Sequence, residues 1–325
     1  MAAKGKRVYV REISSGNYNL EDFRQEQLEL GRIRNTDVDD YGRPFTEDPQ
    51  AESVAPWRVS PGDQEFLTQS IQVHFRNMRP GGKSGKHGHQ NEAVFYILEG
   101  SGYDIDDEIR YEYSAGDTLL VHTDSVHQHF NSSQDEWCKI LVFKAKSLYL
   151  MLGLVEQGRE KSQPDDKFGP PQPWGPIWTE GCEDLRKVIR ATDGQWTDDK
   201  RVGHIRRIID KDLTGARCYS MDLYEQIIGP GESSVEHRHM ADEVAYVVSG
   251  SGESVQRDVR SEISTRYHAR FARQARRFDF AAGDAVYVPN NCAHQFRNTG
   301  SEPLRLVVGH NRAFRHLGYD NIHVI

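Results

Sequence analysis

The sequence predicts an all-β protein of two domains, on three observations. From Phe66 onward it consists of short runs rich in β-branched and aromatic residues, each closed by glycine or proline. That is the pattern of a sandwich or barrel, not of strands alternating with helices. The runs form two sets that repeat the same landmarks, and a repeat of that length with its own turns is a domain duplication. A chain of 325 residues also accommodates two domains of about 150 residues each.

Residues 1–65 read as a polar arm. Asn19 can cap a short helix over Leu20 to Arg32, with Leu20, Phe23, Leu28 and Leu30 as an imperfect apolar stripe. Pro44, Pro49, Pro56 and Pro61 make the remainder extended or turning, and the arm is expected to pack on the body or on a neighbouring subunit. The first β domain is placed at 66–146. Its strands are Thr68 to Met78, Glu92 to Leu98, Thr118 to His122, Val126 to Asn131 and Cys138 to Lys144, with a turn at Arg79–Gly82 and a hairpin turn at Glu99–Gly102.

A helical and proline-rich linker is expected at 147–204. It comprises a helix over Ser147 to Arg159, the five prolines Pro164, Pro170, Pro171, Pro173 and Pro176, and a short helix at Glu183 to Arg190. The second domain, 205–325, has strands at Arg206 to Ile209, Cys218 to Ile228, Glu243 to Val248, Ala285 to Val288, His294 to Asn298 and Leu304 to Val308. It carries about 17 extra residues near Gln256 to Phe278. Seven arginines lie there (Arg257, Arg260, Arg266, Arg270, Arg273, Arg276 and Arg277), with Ile263, Tyr267, Phe271 and Ala275 four apart. The spacing predicts an amphipathic helix over 256–278, serving as a solvated face, an oligomer contact or an anion-attracting lid.

The chemistry is concentrated in the repeats. His237, His239 and Glu243 are two and four residues apart, so on one extended strand all three point to one face, and a second strand can bring His294 opposite them. Three imidazoles and a carboxylate suit Fe, Mn, Ni, Co or Zn. The first copy repeats the set: Gly81 to His87 and His89 matches Gly231 to His237 and His239, and the eleven-residue step from Gly116 to His127 equals that from Gly283 to His294. Its metal set is therefore His87, His89 and His127. Ala93 stands where the second copy has Glu243, and the neighbouring Glu92 falls on the opposite face by parity.

Composition narrows the function classes. A formal charge of −8 argues against a nucleic-acid or anionic-membrane partner and for a small molecule. The chain has no apolar run near the roughly 20 residues of a membrane span, and its first ten residues lack the apolar core of a secretory signal, so a cytoplasmic location is expected. Cys138, Cys182, Cys218 and Cys292 form no CxxC pair and read as reduced thiols.

These residues resemble the two motifs of the cupin superfamily, G(X)5HXH(X)3,4E(X)6G and G(X)5PXG(X)2H(X)3N. The second copy fits at Gly231, His237, His239, Glu243 and Gly250, and then at Gly283, Pro289, His294 and Asn298, with Asn291 in place of the inner glycine. The first copy has His122 and Asp124 where that motif has proline and glycine. The resemblance spans roughly residues 66–145 and 215–312 and implies two jelly-roll β-barrels, a bicupin, whose members commonly pair into homo-oligomers.

A three-histidine site with alanine in place of glutamate is similar to that of the gentisate and salicylate 1,2-dioxygenase type ring-cleaving enzymes. The resemblance implies Fe(II) in the first barrel, O2 as co-substrate and a hydroxylated or aminated aromatic acid as substrate. The ligand types themselves also suit Mn, Ni, Co or Zn, especially in the second barrel. His129 and Gln128 are candidates for contacts beside the metal or for proton transfer, and Arg76 and Arg79 for binding a carboxylate. The competing readings are a flavonol dioxygenase-like enzyme, a Mn-dependent oxalate decarboxylase-like enzyme, against which Ala93 counts, and a non-enzymatic ligand-binding bicupin.

Overall fold

The computed structural model describes residues 13–14, 17–18, 28–35, 53–54, 58–59, 68, 70–154, 157–159, 167–170, 172, 186–211, 216, 218–319 and 321–325. In the arm, β1 (Ile13–Ser14) pairs with β2 (Asn17–Tyr18), β3 is Ile33–Asn35, and β4 (Ser53–Val54) and β5 (Arg58–Val59) both pair with the first long strand, β6 (Gln72–Met78). Most of the expected helix at Leu20 to Arg32 lies outside the described residues, as do Pro164, Pro171, Pro173 and Pro176 of the expected linker. No helix among the described residues is long and apolar enough to cross a membrane.

The first domain continues with β7 (His87–His89), β8 (Ala93–Glu99), β9 (Ser101–Asp106), β10 (Ile109–Ser114), β11 (Thr118–Val121), β12 (Ser125–Asn131) and β13 (Cys138–Lys144). Strands β11, β8, β13 and β6 lie side by side in one sheet, and β10, β9, β12 and β7 in the other. Between the sheets Met78, Phe95, Ile97, Leu119, Val121, Ile140 and Val142 form a buried core. They come from alternate positions along each strand, as a period of two requires.

The expected hairpin turn at Glu99–Gly102 proves to be a corner between sheets: β8 and β9 do not pair with each other. Gly100 makes it. Its φ is +81° and a Cβ there would sit 2.6 Å from the Trp137 carbonyl oxygen, so only a residue without a side chain passes. Gly250 makes the matching corner at φ +88°.

The segment expected as a helical linker contributes strands to both barrels. The helix over Ser147 to Arg159 is limited to Lys146–Met151, after which β14 (Gln157–Arg159) pairs with β7. The described part of the expected helix at Glu183 to Arg190 is extended: β15 (Val188–Ile189) pairs with β11, because β-branched Val188 and Ile189 complete an edge of the first barrel. Next, β16 (Trp196–Asp199) joins the second domain.

That domain comprises β17 (Gly203–Ile209), β18 (Met221–Ile228), β19 (His237–Arg238), β20 (Glu243–Ser249), β21 (Ser251–Arg257), β22 (Val259–Ile263), β23 (Tyr267–Phe271), β24 (Arg276–Ala281), β25 (Asp284–Val288), β26 (Ala293–Asn298), β27 (Leu304–Asn311) and β28 (His323–Val324). One sheet runs β16-β17-β18-β27-β20-β25-β3, the other β24-β21-β26-β19-β28. The Arg-rich insert is therefore strand and not helix: β22 and β23 form a separate two-stranded ribbon between β21 and β24. The four-residue step from Ile263 to Tyr267 that suggested a helix spans the turn between those strands.

The two barrels pack through their larger sheets. Val73, Phe75, Val94, Leu141 and Phe143 of the first are buried with Ile209, Met221, Leu223, Val244 and Val307 of the second. The packing repeats about a pseudo-two-fold. Glu92, just before β8, accepts hydrogen bonds from the Tyr219 and Ser220 amides at 2.9 and 2.8 Å and from Ser220 Oγ at 2.6 Å. Asp242, just before β20, accepts in return from the Ser70 amide at 2.9 Å and from its hydroxyl. Near the axis the repeat is broken so that the faces fit. Phe143 lies against Gly309, where a Cβ would be 2.6 Å from the ring.

Candidate metal centres

In both barrels the HxH strand belongs to one sheet and the strand that follows it to the other. The expectation that His237, His239 and Glu243 share one strand is thus corrected, since β19 carries His237 and Glu243 begins β20 across the barrel. Convergence comes from the barrel's curvature. His294 is where the repeat places it, directly opposite His237 in the β19–β26 pair, and His127 opposes His87 in the same way.

His237, His239, Glu243 and His294 place one ligand atom each within 4.8 Å of the others, and so do His87, His89 and His127. Local hydrogen bonds aim the rings. The Nδ1–H groups of His237, His239 and His294 donate to the carbonyls of Val235, Ala241 and Cys292 at 2.8, 2.8 and 3.1 Å. His87 and His89 donate to Gly85 and Asn91 at 2.9 and 2.6 Å. In each ring this leaves the Nε2 lone pair pointing inward.

The Nε2 atoms of His89, His127, His237, His239 and His294, and Glu243 Oε1, are buried without a hydrogen-bond partner. Buried acceptors are seldom left so, and a divalent cation is the group that satisfies such a set. Burial is the main cause that lowers the affinity of His87 and His127 for protons, to about 4, and of His89 to about 2; charge repulsion between the imidazoles adds to it. All three are neutral at pH 7, the form a metal needs.

The walls of the two sites differ. In the second barrel His310 makes a short hydrogen bond with Glu243 Oε2, Tyr224 stacks edge-on against His310 at 5.6 Å, and Gln226 donates to the Val202 carbonyl at 2.7 Å. His237, Glu243 and His294 are 2%, 0% and 0% exposed. In the first barrel Ala93 replaces Glu243. The same cross-strand positions there hold Lys144 for His310, His74 for Tyr224 and Arg76 for Gln226, all partly exposed. Lys144 and Arg76 act electrostatically on the site: Lys144 on all three candidate ligands, Arg76 on His87 and His129. Burial, with Arg76 beside it, lowers the Lys144 ammonium to about 7.

His129 is inside the barrel and not on its rim. It is buried, its ring 4.8 Å from that of His127 and 4.5 Å from that of Phe95. Its Nδ1 is 3.0 Å from Asp104 Oδ1, which also lies 3.7 Å from His127 Nδ1. Burial opposes the Asp104 charge, yet His129 and His127 outweigh it and hold the carboxyl well below the usual range. Gln128 points elsewhere, donating to the Ser84 carbonyl at 2.7 Å. Arg79 is at the far end of β6, its guanidinium against the Pro80 carbonyl, and does not join Arg76. Glu92 is committed to the domain interface, as its parity foretold.

Sequence reading missed Lys144, His310 and Asp104. The signal for the first two was parity: on β13 Ile140, Val142 and Lys144, and on β27 Leu306, Val308 and His310, alternate with residues of the domain interface. Asp104 required strand β9, which the sequence reading did not propose. The motif's inner glycine has a plain explanation: Asp124 and Asn291 hold that position at φ +61° and +53°, a conformation these two residues tolerate.

Residues 74–144 and 224–310 each match the family model described as Cupin domain. By sequence the chain is similar to auxin-binding protein 1 of Arabidopsis thaliana, 31% identical over 88 residues, which is 27% of this chain and only 40% of that protein's length. It is also similar to 1-hydroxy-2-naphthoate 1,2-dioxygenase of Nocardioides sp. (strain KP7), 24% identical over 278 residues, covering 78% of this chain and 67% of that one. Among solved structures, salicylate 1,2-dioxygenase of Pseudoaminobacter salicylatoxidans superposes with a TM-score of 0.59 at 12% identity, covering 81% of this chain and 74% of that one. Oxalate decarboxylase of Bacillus subtilis does so at 0.59 and 14%, covering 86% and 76%. These structural likenesses establish the shared two-barrel fold.

Proposed function

The chain is a bicupin, and from that premise we propose that it is a metal-dependent dioxygenase cleaving the ring of a hydroxylated or aminated aromatic acid in its first barrel. One observation carries the reading. Three neutral imidazoles converge in a barrel that has alanine in place of the carboxylate ligand and two basic side chains, Arg76 and Lys144, in its wall. Such a site keeps the full charge of a divalent ion and favours an anionic chelator.

His87, His89 and His127 would hold Fe(II) through Nε2; the ion supplies Lewis acidity and redox access to O2. The Asp104 carboxylate faces the Nδ1 atoms of His127 and His129, at 3.7 and 3.0 Å, and its negative charge favours electron donation from the ligand ring. His129 Nε2, buried without a partner, is the proton-exchanging atom. Phe95, ring to ring with His127 and His129, keeps water from that side. The second set, sealed and with Glu243 engaged by His310, would hold an ion as a structural element.

The test is metal analysis of purified protein followed by O2 uptake with gentisate, salicylate, 1-hydroxy-2-naphthoate, aminophenols, catechols and a flavonol. Uptake with an aromatic acid that is lost in His87→Ala supports the reading. Fe(II)-loaded protein inert towards every aromatic acid, or activity that survives His87→Ala, ends it.

A further inference from the structure

Laying one barrel over the other singles out a residue that the ligand motifs do not contain. In the second barrel Glu243 and His310 are cross-strand neighbours in the β20–β27 pair. Glu243 Oε1 faces His294 at 3.6 Å, while Oε2 faces His239 at 3.3 Å and bonds His310. One carboxylate thus spans the cation position and a nitrogen donor on the neighbouring strand. In the first barrel β8 pairs with β13 in the same register, Val94 opposite Phe143, which sets Ala93 beside Lys144. The carboxylate is missing and the donor has become an ammonium.

Ala93 lacks the side-chain atoms that Glu243 carries beyond its Cβ, at a position that faces the three imidazoles and lies beside Lys144 in the strand register. Lys144 is partly exposed, the charges acting on it are those of Arg76 and Lys146, and among the described residues no carboxylate pairs with it. Buried or half-buried lysines normally have such a partner.

We propose that Lys144 is the carboxylate-recognition residue of the first barrel, and that the carboxylate it selects occupies the place Glu243 fills in the second. This rests on the reading that the first barrel binds an aromatic acid, and it adds which residue chooses the acid and where its carboxylate goes. Arg76, two rows along the same face on β6, adds its positive charge to the site. A ligand with a neutral group in that position would leave the ammonium without a counter-charge and bind less tightly.

The full chain is loaded with Zn(II), which binds to the same donors without redox chemistry, and titrated calorimetrically with salicylate and with its neutral analogue salicylamide. The wild type is expected to prefer salicylate by about tenfold to 100-fold, the range of one charge-assisted contact. Lys144→Met should cut the preference about tenfold or more by weakening salicylate alone, leaving only what the metal contributes, with zinc content unchanged, and Lys144→Arg should restore most of it. Ala93→Glu supplies the carboxylate in cis and should exclude salicylate while slowing zinc loss to a chelator.

A salicylate preference undiminished in Lys144→Met, or equal losses for both ligands, would overturn the assignment. Should Lys144→Met fail to fold, undiminished salicylate binding by Ala93→Glu does so independently. The two readings fail separately. Lys144-dependent salicylate binding without O2 uptake keeps this inference and removes the dioxygenase. O2 uptake with aromatic acids that is indifferent to Lys144 does the reverse.

Discussion

Removing the Glu92 carboxylate should open the interface between the barrels locally, and Cys218 can report it. Glu92 accepts from two backbone amides and a hydroxyl, and the Cys218 thiol is 3.5 Å from its Oε2. Glu92→Ala leaves those donors buried without an acceptor, at about 1–3 kcal/mol for each and, since they share one carboxylate, about 3–5 kcal/mol together. At 1.36 kcal/mol per decade the low end raises the open population about 100-fold. Cys218 is 2% exposed, so a thiol reagent reaches it only in that population.

Labelling under native conditions, with each site located by mass spectrometry, should therefore accelerate about 100-fold at Cys218 in Glu92→Ala, and about tenfold in Glu92→Gln, which keeps one acceptor oxygen. Cys138, in the first barrel's own core, is the internal control. If Cys138 accelerates as much as Cys218, the substitution has loosened the whole chain. If neither changes, the carboxylate does not hold the interface. Either result refutes the reasoning.

Acidification should destabilise the metal-free protein. His87 and His127 are held neutral down to about pH 4 when folded but take up protons near 6.5 when unfolded, so the unfolded chain binds more protons below pH 6.5. Stability is unaffected by them above that value and falls between pH 6.5 and about 4, by up to about tenfold in the folding constant per pH unit for each imidazole, as denaturant melts across that range will read. Gly309→Ala places a methyl group 2.6 Å from the Phe143 ring and should cost about 1–3 kcal/mol in the same melts, with Phe143→Leu in the same chain recovering part of it. Metal stoichiometry should fall by one ion per chain in His87→Ala and by one in His237→Ala. Only the second should also lower the melting temperature markedly, because its site is sealed within the barrel.

Much of this was legible in the residues. The strand Cys138–Lys144 is as long as the sequence reading made it, since Ile140 to Phe143 form a short continuous apolar run buried on both faces of the sheet, too short for a helix. The ligand sets were legible because HxH spacing survives any curvature of the strand. What was not legible depended on contacts distant in sequence. Strands β9 and β10 alternate charged with small or aromatic residues, and their inward aspartates, Asp104 and Asp106, make sense only beside His129 and Lys187. The arginine ribbon imitated a helix through a step across its own turn. The role of Glu92 could be excluded from the metal site by parity, but its partners are more than 120 residues away.

Strand β3 has a consequence for how the chain is made. Ile33–Asn35 closes the edge of the second barrel by pairing with Asp284–Val286, roughly 250 residues later, while Val188–Ile189 closes the first. At about 5–20 residues per second of synthesis, β3 waits some 12–50 s on the ribosome for its partner. The second barrel is thus the last part of the chain to finish folding although it contains a strand made near the start. A gene cut between the barrels would yield two fragments, and the C-terminal one would carry an uncovered sheet edge, prone to aggregation until the other fragment returns the strand in trans.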